Sequence, residues 1–214
     1  MTDAVVFDLD GVLVDTEPLW AKVREELVVE TGGRWHPGAT AEMMGMSSPE
    51  WSRYLHDDLG VPLPPDEISA TVVRHMLERL AAGVELLPGA ERAVGELAAR
   101  WPLGLASSAN RPVIDAVLER TGLRRHFPVT VSSEEVARGK PAPDVYLEAT
   151  RRLGADPRRC AAIEDSTNGI LAARAAGLHV IAVPNRTFPP TPAALAQADL
   201  VLPTLTDLDP TALP

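Results

Sequence analysis

The chain has 214 residues, 45% of them hydrophobic, which is enough to bury one large or two modest cores without disulfide staples. Aromatic residues make up only 4%, so apolar burial has to come from Ala, Val and Leu in layers of helix and strand, the pattern of an α/β protein. A net charge of −10 excludes a surface that attracts nucleic-acid backbones or anionic lipid heads, and a site for a small anion would need local positive charge from a metal ion or a placed Lys or Arg.

Cys160 is the only cysteine, which excludes an internal disulfide and a thiolate-built zinc site and fits a reducing compartment. The first residues carry no basic region followed by an apolar stretch, and no run approaches the ~18 consecutive apolar residues of a membrane span. The expectation is a cytoplasmic protein, monomeric by default, with neither nucleic acid nor membrane as partner. Lys22 and Lys140 are the only lysines in an arginine-rich chain. A surviving lysine draws notice because arginine cannot replace a compact ammonium in a tight site.

Ala4 to Leu9 is a short apolar run interrupted by Asp8, as expected of a strand buried on both faces of a parallel sheet. From Asp15 to about Leu87 the pattern becomes helical, around Ala21 to Glu30, Pro49 to Leu59 and Asp66 to Ala82, with no convincing strand between. Its hinges fall at Asp15 to Pro18 and Gly83 to Pro88, where Gly and Pro break the periodicity. Ala90 to Ala98 places its apolar residues on one helical face. Leu103 to Ser107, Val129 to Val131, Ala161 to Glu164, Val180 to Val183 and Leu200 to Leu202 then read as strands, separated by helices at Val113 to Leu118, Val145 to Leu153 and Ile170 to Ala176. The last of these helices stops at Gly177, a natural cap. Val183 to Pro192 is Pro-rich and reads as a surface loop. The division is therefore a Rossmann-like parallel core over 1–15 and 85–214, with a four-helix-type cap inserted at 16–84.

Asp8-Leu9-Asp10-Gly11-Val12-Leu13-Val14-Asp15 sets two carboxylates two apart where a strand leaves the sheet, so alternation sends both to one side. Gly11 permits a sharp departure of the backbone. One carboxylate can attack phosphorus while the other protonates the leaving oxygen and later accepts a proton from water. Paired carboxylates also suit a hard cation with oxygen ligands.

This segment resembles the first motif of the haloacid dehalogenase superfamily phosphatases, and the other three motifs are matched in order. By that resemblance Asp8 is the nucleophile and a metal ligand, and Asp10 is the acid/base, lending its backbone carbonyl to the metal. Ser107, with Ser108 beside it, would bind the phosphoryl group, although a serine at a strand end would by itself read as a turn cap. Lys140, in Gly139-Lys140-Pro141, would steady the nucleophile and bind phosphate. Glu164 and Asp165 would complete a magnesium site, Asp165 directly and Glu164 directly or through water, and both could equally cap the following helix.

An insert between the first and second motifs resembles the helical-cap branch that contains β-phosphoglucomutase and many sugar phosphatases, as does Asp15-Thr16-Glu17-Pro18-Leu19-Trp20. The implied activity is magnesium-dependent hydrolysis of a small phosphorylated metabolite through an aspartyl-phosphate. The mutase alternative is weakened by Trp20 and Ser48, which stand where the mutase has a histidine and an arginine, leaving no evident second phosphate anchor. A non-enzymatic phosphoacceptor domain has no use for Asp10 or for the insert. Glu17, Trp20, Gly45, Met46 and Ser47 are the candidates for substrate selection, while Met43, Met44, Met46, Trp20 and Trp51 read foremost as packing of the insert.

Overall fold

A computed structural model describes residues 2–44 and 46–213, leaving Gly45, one of the candidate selectivity residues, outside the described residues. Strand β1 (Ala4–Phe7) lies at the middle of a six-stranded parallel sheet with β2 (Leu103–Ser107), β3 (Val129–Ser132), β4 (Cys160–Glu164), β5 (His179–Ala182) and β6 (Leu200–Val201), in the order β3-β2-β1-β4-β5-β6. Every residue of β1, β2 and β4 is buried, which is why their sequences are continuously apolar rather than alternating. Alternation sorts them by face instead: Val5, Phe7, Leu105 and Ile163 join one apolar cluster, Ala4, Val6, Ala106 and Ala162 the other.

The register pairs Phe7 with Leu105 on one side and with Ile163 on the other. β1, β4 and β2 thus end within two residues of one another, so Asp8 emerges beside the ends of its two neighbours. Strand order reverses at β1, and in open α/β sheets the crevice outside such a reversal is where ligands bind.

Between β1 and β2 the chain forms α1 (Glu17–Glu30), α2 (Ala39–Met43), α3 (Ser48–Asp57) and α4 (Pro65–Leu80), then α5 (Ala90–Ala98), with no strand among the described residues of 16–84. Helix α4 shows why this stretch is helical: Ile68, Val72, Met76 and Leu80 recur every four residues and are all buried, while Pro65, Asp66 and Glu67 suit its first turn. Each such aliphatic side chain contributes roughly 1.5–3 kcal/mol on burial. Isolated bridges join Val14 to Asp10 and to Leu86, so the two connections to the insert run side by side. One apolar cluster runs from Phe7 and Leu105 of the sheet through Trp20, Trp51 and Met76 of the insert.

The remaining helices are α6 (Arg111–Arg120), α7 (Asp144–Leu153), α8 (Thr167–Ala175) and α9 (Pro192–Leu195). Helix α1 begins at Glu17, not Ala21, because Pro18 occupies a first-turn position that tolerates proline. Helix α2 spans only five residues, too few to show a period, and α9 emerges from the Pro-rich stretch once Thr191 caps it through the amide of Ala194.

Candidate active site

Asp8 follows β1 directly and is 6% exposed. Its Oδ1 accepts a hydrogen bond from Lys140 Nζ at 2.6 Å. The same ammonium donates to Glu164 Oε1 at 2.6 Å and to the carbonyl of Ala106 at 3.1 Å, so all three of its protons are engaged. Burial works against the charge on Lys140, but Asp8 and Glu164 outweigh it and raise its pKa.

Glu164, fully buried at the end of β4, is saturated by the protein. Oε1 also accepts from Tyr146 Oη at 2.7 Å, and Oε2 accepts from the amides of Asp165 and Ser166 at 3.0 and 3.3 Å and from Ser166 Oγ at 3.2 Å. Its carboxylate lies beneath the first turn of α8, where a Cβ on Gly169 would fall 1.9 Å from it. The cap of α8 is Ser166, whose Oγ accepts from the Gly169 amide; Asp165 is left free of that duty.

Asp165 Oδ2 accepts from Asn185 Nδ2 at 3.1 Å. Gly11, at φ 81°, packs its Cα against this carboxylate, and a Cβ there would lie 1.9 Å from Oδ2. Asp8, Glu164 and Asp165 each present an oxygen within 4.8 Å of the others. Burial pushes the Asp8 carboxyl up to about 8 against the pull of Lys140, and burial together with Glu164 drives Asp165 well above the usual range.

Three buried carboxylates thus face one ammonium. Their all-oxygen donor set and excess negative charge fit a hard divalent cation. Since the protein saturates Glu164, the carboxylate oxygens left for a cation belong to Asp8 and Asp165.

Asp10 is positioned apart from this triad. The Thr16 hydroxyl donates to its Oδ1, and burial raises its pKa against hydrogen bonds from Thr16 and Trp20. Ser107 is fully buried just below the cleft, its Oγ accepting from the amide of Ala109 at 3.0 Å, while Ser108, Ala109 and Asn110 reach the cleft itself. Asp8, Asp10 and Lys140 line that cleft together with Glu17, Trp20 and Met46.

Ser47 does not line the cleft. Its amide and hydroxyl both donate to Glu50 Oε2, forming the capping box of α3. Met43, Met44 and Trp51, read above foremost as packing, all line the cleft, and Met43 and Trp51 also fill the core of the insert. Cys160 is buried, with a thiol pushed up to about 11 by burial, and takes no part. Sequence reasoning passed over Tyr146, Asn185, Gly169 and Arg24. Only Gly169 carried a local signal, a glycine inside a helix without turn geometry to explain it.

A parallel α/β sheet with an acidic, lysine-clamped site where its strand order reverses, and a helical insert between its first two strands, defines an enzyme with a Rossmann-like core and a helical cap. A family model described as haloacid dehalogenase-like hydrolase matches residues 2–177, and the chain belongs to that family. It is 32% identical over 210 residues to the bifunctional riboflavin kinase/FMN phosphatase of Arabidopsis thaliana, covering 97% of this chain but 55% of that protein, so the chain spans just over half its length. It is 32% identical over 211 residues to hexitol phosphatase B of Escherichia coli, covering 96% and 93%. Among solved structures, CbbY from Rhodobacter sphaeroides in complex with phosphate superimposes with a TM-score of 0.89 at 30% identity, covering 100% of this chain and 99% of that one. Family and relatives support a phosphoric monoester hydrolase.

Proposed function

We propose that the protein is a magnesium-dependent phosphatase that hydrolyses a small phosphorylated metabolite of the sugar-phosphate kind through an aspartyl-phosphate on Asp8. The observation that carries this reading is the fixed Asp8 carboxylate, with one oxygen held by Lys140 and the other free at the mouth of the sheet. The free oxygen attacks phosphorus, the bond to the leaving oxygen breaks, and Asp10 supplies the proton that oxygen needs. Asp10 then accepts a proton from the water that cleaves the aspartyl-phosphate.

Asp8 and Asp165 would hold the magnesium ion, which when bound neutralises phosphoryl charge and aligns the ester. Lys140 orients the nucleophile; to touch a phosphoryl oxygen as well it must give up Ala106 O, the weakest of its three partners. The loop after Ser107, which brings Ser108 to the cleft, would receive the phosphoryl oxygens. The helices of 16–84 act as a cap over the core of 1–15 and 85–214, excluding water from the reaction.

Hydrolysis is favoured over a mutase reaction by Trp20, a buried indole at the position where, by resemblance, the mutase has a histidine. The names of the relatives, a hexitol phosphatase and an FMN phosphatase, support a soluble phosphorylated metabolite as substrate. The test is phosphate release from a panel of sugar, polyol and short-acid phosphates, with and without magnesium, by the wild type and Asp8→Asn. Release that requires magnesium and disappears in Asp8→Asn is expected. Release that persists in Asp8→Asn would overturn the proposal.

A further inference from the structure

Arg24 stands on α1 one turn beyond Trp20 and two beyond Glu17, and spacings of three and four put all three on one helix face. That face lines the same cleft as Asp8, Asp10 and Lys140. The guanidinium carbon lies 4.8 Å from the centroid of Trp20 and 4.9 Å from that of Trp51, so aromatic rings cover the group and fix its orientation. Its hydrogen-bond donors therefore point only along the edge of the plane.

That edge has no protein partner. Arg24 is 6% exposed, its Nε is buried without a hydrogen bond, and no carboxylate among the described residues makes an ion pair with it. Glu17 and Asp10 act on it through space alone. A buried cation with idle donors is costly to a fold, and the cost falls away when an anion completes it.

We infer that Arg24 determines specificity by binding a second anionic group of the substrate, a carboxylate or a phosphate, at the end remote from the phosphoryl group that is cleaved. This rests on the phosphatase reading and narrows its substrate class. The guanidinium fork matches a carboxylate or phosphate edge with two parallel hydrogen bonds. The reacting phosphoryl group has no need of it, being served by the core loops. Around Arg24 the wall is Met43, Met44 and Met46, which offer little to a run of hydroxyls. Among the described residues Asn110 Oδ1 is likewise buried without a partner and lines the cleft, an acceptor for one substrate hydroxyl.

The test uses non-hydrolysable ligands of matched length: propylphosphonate, 3-phosphonopropionate and propane-1,3-bisphosphonate, titrated by calorimetry into the full chain with magnesium. The wild type should bind one or both doubly anionic ligands roughly tenfold or more tighter than propylphosphonate, the preferred one showing whether carboxylate or phosphate is the group recognised. Arg24→Met should erase that preference and leave propylphosphonate within about twofold, while Arg24→Lys, which keeps the charge but loses the fork, should retain part of it.

Equal binding of all three ligands by the wild type overturns the inference even if the variants fail to fold. So does an equal loss for all three in a folded Arg24→Met. Because binding needs no turnover, failure of the phosphatase reading would show separately, as absence of phosphate release despite selective binding.

Discussion

Gly169→Ala separates helix propensity from the demands of the site, because the two predict opposite signs. Gly169 is in the first turn of α8 without a positive φ, so alanine should on propensity alone stabilise the protein by roughly 0.5–1 kcal/mol. The added Cβ, however, would fall 1.9 Å from Cδ and Oε1 of Glu164 and 2.0 Å from Oε2. The carboxylate cannot yield without cost, since Lys140, Tyr146, two backbone amides and Ser166 Oγ hold it in a fully buried position.

Hydrogen bonds to a charged group contribute about 1.5–3 kcal/mol each, so losing even two outweighs the gain in propensity and leaves a net destabilisation on the order of 2–5 kcal/mol. Glu164 also fixes Lys140, so phosphate release should fall with stability. The assay is urea unfolding followed by tryptophan fluorescence, with the slope unchanged and the midpoint lowered. Gly95→Ala on α5 is the control: nothing lies within 4 Å of its Cβ, and it should stabilise by about 0.5–1 kcal/mol. A Gly169→Ala protein as stable and active as the wild type would refute the packing of Glu164 described above.

Gly11→Ala should displace Asp165, whose Oδ2 would lie 1.9 Å from the new Cβ, at a φ of 81° that an L side chain adopts with strain. Magnesium affinity measured by calorimetry should fall more than global stability, and an unchanged affinity would count against Asp165 as ligand. Burial beside Asp10 pushes Glu17 from 4.5 up to about 7. A raised folded-state value means the native form keeps a proton that the unfolded chain has lost, so this stabilisation is complete below about pH 4.5 and is lost as pH rises through about 7. Metal-free Glu17→Gln should therefore gain on the wild type between pH 4.5 and 8 by on the order of 1–3 kcal/mol, read from unfolding midpoints across that range. A difference that stays flat with pH would contradict the raised value.

How much of the site was legible in the sequence follows from how local each role is. Asp8, Asp10 and Gly11 announce themselves because two carboxylates and a turn sit within four residues. Lys140 and Asp165 were found by the order of motifs along the chain. Tyr146 and Asn185 were not, because an ordinary tyrosine and asparagine gain their roles only when folding brings them to Glu164 and Asp165, 18 and 20 residues away. Ser47 looked like a contact for substrate, but Ser47 with Glu50 three residues on is also the signature of a helix start, and that is how the structure uses it. The strands were readable because burial on both faces leaves them continuously apolar. Helix α2 was too short to show a period. Arg24 was hidden by its chain's richness in arginine, although its spacing from Glu17 and Trp20 was on the page from the start.

The central claim, that Asp8 carries the phosphoryl group, is tested most directly by quenching the enzyme during turnover, reducing with borohydride and mapping the peptides. An acyl phosphate at Asp8 is reduced to homoserine, so the account predicts homoserine at position 8, with none at Asp10 or Asp165. Steady phosphate release with no modified residue, or with the modification on another carboxylate, would contradict it.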